Sequence, residues 1–169
     1  MSESGGRRIK RALYLDQNSV RFLDEDGQAR LRRFRLLADY LQRKDGELDA
    51  WNARLAEQGR ERVNQRRLTN LGTFRAYVEA YLRAHPDIHD GMTLLVRQLP
   101  PGPTGLPLEV YCFTRTVAWG PYEGIQSDIF DHLLAILPEF GLQVFQQPGG
   151  ADVRRLQGQA TTVAAAAAG

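Results

Sequence analysis

A chain of 169 residues, 43% hydrophobic and 25% charged, can bury one sizeable core and is neither disordered nor fibrous in composition. Its formal net charge of +2 excludes a whole-molecule field strong enough to hold nucleic acid or a membrane surface. The single Cys112 excludes an internal disulfide and a cysteine metal cluster, and apolar runs such as 92–96 fall far short of the roughly 18–20 residues that cross a bilayer.

Residues 1–6 are small and polar and are expected to lack order. From Arg8 to Asp16 apolar and polar residues alternate, with Ile9, Leu13 and Leu15 on one side, which predicts a half-exposed strand. The acids Asp24, Glu25 and Asp26 suit the start of a helix. Over 29–44, Leu31, Phe34, Leu37, Ala38 and Leu41 recur at helical spacing, and beyond Gly46 the same spacing resumes at Leu48, Trp51 and Leu55. Two helices, or one bent helix, are expected to about residue 57. The stretch 58–67 is basic and poor in apolar residues and reads as a connector or exposed edge.

Several cap residues in 69–73 precede a stripe of Phe74, Tyr77, Val78, Tyr81 and Leu82, which Pro86 ends; this predicts a helix. Residues 92–99 and 106–115 alternate as strands, and the prolines and glycines of 100–105 reverse the chain between them. Gly120-Pro121 opens a second helix carrying Tyr122, Ile125, Ile129, Leu133 and Ile136, closed by Pro138 and Gly141. Residues 142–146 supply a last strand. With a short strand placed at 66–70, the order is βαββαβ, a ferredoxin-like α+β arrangement in which two helices cover one face of an antiparallel sheet.

No catalytic, cofactor-binding or metal-ligating residue is assigned. His85 and His89 are four apart, but Pro86 between them argues against a shared helix face, and no third ligand is near. His132, beside Asp128 and Asp131, reads as a surface or interface residue. Cys112 sits mid-strand among apolar residues and reads as core. Glu123 and Asp128 have no partner chemistry, and no phosphate-binding glycine motif is present. The βαββαβ order also occurs in RNA-recognition modules, and Tyr111 and Phe113 share a face, yet Glu109 joins them and the expected glycines are missing. The arginines and lysine at 7, 8, 10 and 11, and the arginines at 60, 62, 66 and 67, read as solvated surface or as neighbours of anionic lipid heads.

Longer runs are more specific. Thr69-Asn70-Leu71-Gly72-Thr73-Phe74-Arg75-Ala76-Tyr77, the strand at 92–99, Tyr122-Glu123-Gly124-Ile125-Gln126-Ser127-Asp128-Ile129-Phe130-Asp131-His132 and Leu137-Pro138-Glu139-Phe140-Gly141-Leu142 resemble the C-terminal region of MscS-type mechanosensitive channels, in particular the miniconductance branch. Upstream, Ile9-Lys10-Arg11-Ala12-Leu13-Tyr14-Leu15-Asp16 and the residues to Leu23 resemble the end of that family's cytoplasmic β domain. The resemblance covers 7–148. It implies the end of a β domain at 7–23, a branch-specific helical insertion and connector at 24–65 and an α/β cage domain at 66–148; outside it, composition predicts a disordered leader at 1–6 and, at 149–169, a disordered tail or a frayed helix.

The family implies a non-enzymatic part of a homo-oligomeric ring, usually of seven subunits, on the cytoplasmic side of the bacterial inner membrane. Transmembrane helices precede it, tension in hypo-osmotic stress opens the pore, and ions and small solutes pass through the cage. No cofactor is implied, and nucleic acid is not expected as a partner. The alternatives are an RNA-binding module using Tyr111 and Phe113, and a small-ligand regulatory domain.

Overall fold

The computed structural model describes residues 2–3 and 5–167. Four antiparallel strands, β1 (Ser2–Glu3), β2 (Gly6–Leu15), β3 (Leu95–Gln98) and β4 (Leu106–Thr114), form one sheet in the order β1-β2-β4-β3. β2 and β4 pair along their whole length, with Ile9 opposite Cys112 and Leu13 opposite Leu108, and Val96 of β3 lies opposite Val110. Facing residues in such a ladder share a side of the sheet. One side is therefore Ile9, Leu13, Leu15, Val96, Leu106, Leu108, Val110 and Cys112, all buried in a common core.

Two helices cover that side. α3 (Asn70–Ala84) starts where the Thr69 hydroxyl accepts from the Gly72 amide at 3.0 Å, buries Leu71, Phe74, Tyr77, Val78 and Leu82, and stops before His85-Pro86. α4 (Trp119–Ile136) has Pro121 in its first turn, where no amide is missed, and buries Ile129, Phe130 and Leu133. Arg7 and Arg11 of β2 lie over the Tyr122 and Phe130 rings at 4.6 and 4.3 Å, and the Tyr122 hydroxyl donates to the Arg8 carbonyl at 2.6 Å. A short helical turn at Leu137–Phe140 ends at Gly141 with φ +66, a left-handed stop. A side chain there would collide with the Arg21 guanidinium.

After Gly141 the chain returns to β2. Leu15 bridges Val144, Asp16 N donates to Gln143 O at 2.7 Å, and Phe145 N donates to Tyr14 O at 2.9 Å. The βαββαβ order thus runs β2, α3, β3, β4, α4 and a final strand reduced to one bridge, in the ferredoxin-like arrangement the sequence predicts.

The first strand of that order differs from expectation. Residues 66–70, expected as a strand, make only a bridge between Thr69 and Phe22. The Asn52 side chain takes both polar groups of the Arg66 backbone, at 3.0 and 3.1 Å, so a ladder cannot extend there. β2 occupies the first-strand position instead. The sequence reading assigned it to the end of a preceding β domain, whereas here it is a central strand of the same sheet.

Further differences are local. The strand expected over 92–99 is Leu95–Gln98. The helix expected over 29–44 is divided into α1 (Glu25–Leu31), capped by Asp24, and α2 (Ala38–Ala53), which passes through Gly46 unbroken. Extended backbone at Phe34 separates them and turns Leu31, Phe34, Leu37 and Leu41 toward the core together. Arg32 closes the bend with two bonds to Asp45 at 2.9 and 3.0 Å. In the leader, Ser2–Glu3 pairs with β2, and Met1 and Ser4 lie outside the described residues. The tail, expected to be disordered or a frayed helix, carries a helix, α5 (Gly150–Ala167), exposed over 150–160; Ala168 and Gly169 lie outside the described residues.

Candidate assembly surfaces

The residues that could have carried chemistry are dispersed. His85 and His89 sit in the loop after α3, and each Nδ1 accepts an amide two residues on, from Asp87 and Gly91, both at 3.1 Å. Their rings are used in separate local turns. Among the described residues no group of three His, Cys, Asp or Glu side chains could hold a metal ion. Cys112 is wholly buried in the core face, and burial pushes its thiol up to about 12, the reverse of what a nucleophile needs. Glu123, Asp128 and Asp131 lie on the solvent side of α4.

His132 is more engaged than the sequence suggests. Its Nε2 is 2.6 Å from the Tyr77 hydroxyl, and its ring stacks on Tyr81 at 4.3 Å with 6° between the planes. Burial, and then Tyr81, raise the pKa of Tyr77; burial, and then the Asp128 charge, raise that of Tyr81. The cluster locks α3 to α4. Its signal in the sequence is that Tyr77 and Tyr81 share one helix face, but nothing local points to a residue 55 positions away.

The sheet side opposite the helices is only partly open, with Glu109 and Phe113 buried on it. Alternation places Arg8, Lys10, Ala12 and Tyr14 of β2, Glu109, Tyr111 and Phe113 of β4, and Leu95 and Arg97 of β3 on this side. Arg97 reaches Glu109, its direct cross-strand neighbour, at 2.9 Å. Arg8 lies over the Tyr111 ring at 5.9 Å, and Tyr111 meets Phe113 edge-on at 5.7 Å. Tyr14, Leu95, Lys10 and Arg97 remain exposed. Phe113 is only 2% exposed, so its ring offers no face to a nucleobase.

Other exposed apolar groups stand at the ends of α4. Val117 and Trp119 project at its start, Trp119 67% exposed. At its far end Leu134, 44% exposed, stands at an open groove of about 380 Å³ lined also by Pro138, the half-buried Val144 and the buried Leu137 and Leu142. Large apolar groups clustered at a surface mark contact sites.

Residues 73–144 match the family model described as mechanosensitive ion channel MscS, C-terminal. The match supports membership of the MscS family. It spans less than half of the chain, from the first turn of α3 to the bridge at Val144. β2, the first strand of the fold, lies outside it, separated in sequence by the insertion. No helix among the described residues is long and apolar enough to cross a membrane.

Proposed function

We propose that this chain is the cytoplasmic assembly and vestibule part of a bacterial MscS-type channel of the miniconductance branch. The match over 73–144 carries the reading. The partly open sheet side and the apolar groups at both ends of α4 support it, because a subunit that works in a ring keeps such surfaces for its neighbours. The task is assembly, not catalysis. Copies of the chain form a homo-oligomeric cage, seven-fold in this reading, on the cytoplasmic side of the inner membrane. Ions and small solutes cross the cage when bilayer tension in hypo-osmotic stress opens the pore.

The RNA-binding alternative loses its main support, because Phe113 is covered and Glu109 is tied to Arg97 on the same side. No observation favours a ligand-regulatory domain.

The test is survival of osmotic downshock by channel-deficient cells expressing the gene that encodes this chain. The intact gene is expected to protect them, and Trp119→Asp with Leu134→Asp, at exposed positions that leave the core intact, to reduce protection. An intact gene that protects no better than an empty vector contradicts the reading.

A further inference from the structure

A ring built by rotation needs two unlike patches on every subunit, each fitting the other. Two surfaces of this chain have complementary charge and are not joined to each other within the chain. The first is the tip of the insertion. α2 continues past its buried residue, Leu41, for about three more turns. Trp51 near its end is 47% exposed, and Val63 in the connector beyond is 82% exposed. Arg54, Arg60, Arg62 and Arg66 are exposed around them, against Asp49, Glu57 and Glu61. Arg66 lies over the Trp51 ring at 5.3 Å, and neither Arg54, Arg60 nor Arg62 takes part in any of the ion pairs among the described residues. Tryptophan beside arginine is the composition that interface centres concentrate.

The second surface is the solvent face of α4. Glu123, Asp128 and Asp131 are exposed there, and the helix contains no lysine or arginine. None of the three acids is in an ion pair. Leu134, 44% exposed, stands on the same face and leads into the apolar groove.

We infer that the insertion tip of one copy docks on the acidic face of α4 of the next copy, with Trp51 and Val63 against the apolar end near Leu134. The partner is a second copy of this chain. The inference rests on the assembly reading and deepens it, by giving the insertion the role of a strap between neighbours.

Sedimentation of the full chain over micromolar to near-millimolar concentration, at low and high salt, tests it. The chain is expected to self-associate, less so as salt rises. R60E with R62E, or E123K with D131K, should each weaken self-association about tenfold or more, because like charges then face each other. Circular dichroism confirms that these surface variants are folded. An equimolar mixture of the two variants should associate again, since each reversed patch meets its complement on the other. Reversals that leave association unchanged overturn the strap and leave the assembly reading standing. A chain that stays monomeric throughout also overturns the strap, while downshock survival decides the assembly reading separately.

Discussion

The sheet unit and the insertion follow the same periodicities and end in opposite environments. In β2, β4 and α3 nearly every apolar residue on the expected face is buried, and in α4 Ile129 and Leu133 are buried while Tyr122, Ile125 and Ile136 pack half-buried against the same core. Along α1 and α2 the rule holds through Leu31, Phe34, Leu37, Leu41 and the half-buried Leu48 and then fails at Trp51, which is 47% exposed. Phe34 explains where the boundary falls. Its ring stacks on Phe140 and meets Tyr77 edge-on, each at 5.5 Å, so the insertion is anchored at its root and free at its tip. Periodicity identifies an apolar stripe; whether the stripe meets the core depends on what lies opposite it.

The contrast can be broken most severely inside the sheet. Leu108 is wholly buried on the central strand, and Leu108→Ala is expected to lower unfolding free energy by about 2–5 kcal/mol in denaturant titration. Next comes the joint between the two regions. Asn70, fully buried, donates to the Ser19 carbonyl at 2.9 Å and accepts from the Arg21 amide at 3.0 Å. Asn70→Ala leaves both backbone groups short of a partner and should cost about 2–3 kcal/mol by the same titration. Gly105 tests the closure of the last strand. With φ +98 and an added Cβ only 2.6 Å from the Leu15 carbonyl oxygen, Gly105→Ala should cost about 1–3 kcal/mol and raise hydrogen exchange at the Phe145 amide.

Cys112 gives a pH-dependent effect of the core alone. Its folded pKa, about 12, lies above the unfolded value of 9.0, so the unfolded chain loses the proton first as pH rises. The thiol's contribution is complete below pH 9 and is lost between pH 9 and about 12, at about 1.4 kcal/mol per unit. Stability measured at pH 8 and pH 10 should therefore fall more in the native chain than in Cys112→Ala. The smallest effect belongs to the tip. Trp51→Ala should change the stability of the isolated subunit by no more than about 0.5 kcal/mol, while weakening self-association.

Much of the fold is legible along the chain because its elements are marked locally. Thr69 and Pro86 delimit α3, Pro121 and Gly141 delimit α4, and the glycines and prolines before Leu106 mark the hairpin. What stayed hidden depends on distant partners. Ile9, Leu13 and Leu15 announce a strand, but not that its neighbour lies some hundred residues away in β4. The 66–70 stretch falls where the βαββαβ order calls for a first strand, yet a side chain from α2, Asn52, occupies the Arg66 backbone. At the surface, the exposed acids of α4 and the basic connector are visible as composition. That none of Arg54, Arg60, Arg62, Glu123, Asp128 and Asp131 takes part in an ion pair among the described residues requires the structure.

The central claim is that β2 is the first strand of the βαββαβ unit whose remaining elements lie largely within 73–144, with α1 and α2 interposed in sequence. Native-state hydrogen exchange tests it most directly. The β2 amides that face β4 should be protected to the same free energy as those of β4, and the amides of 54–65 should exchange orders of magnitude faster. A β2 that exchanges as fast as the insertion tip, or opens independently of β4, would contradict the account.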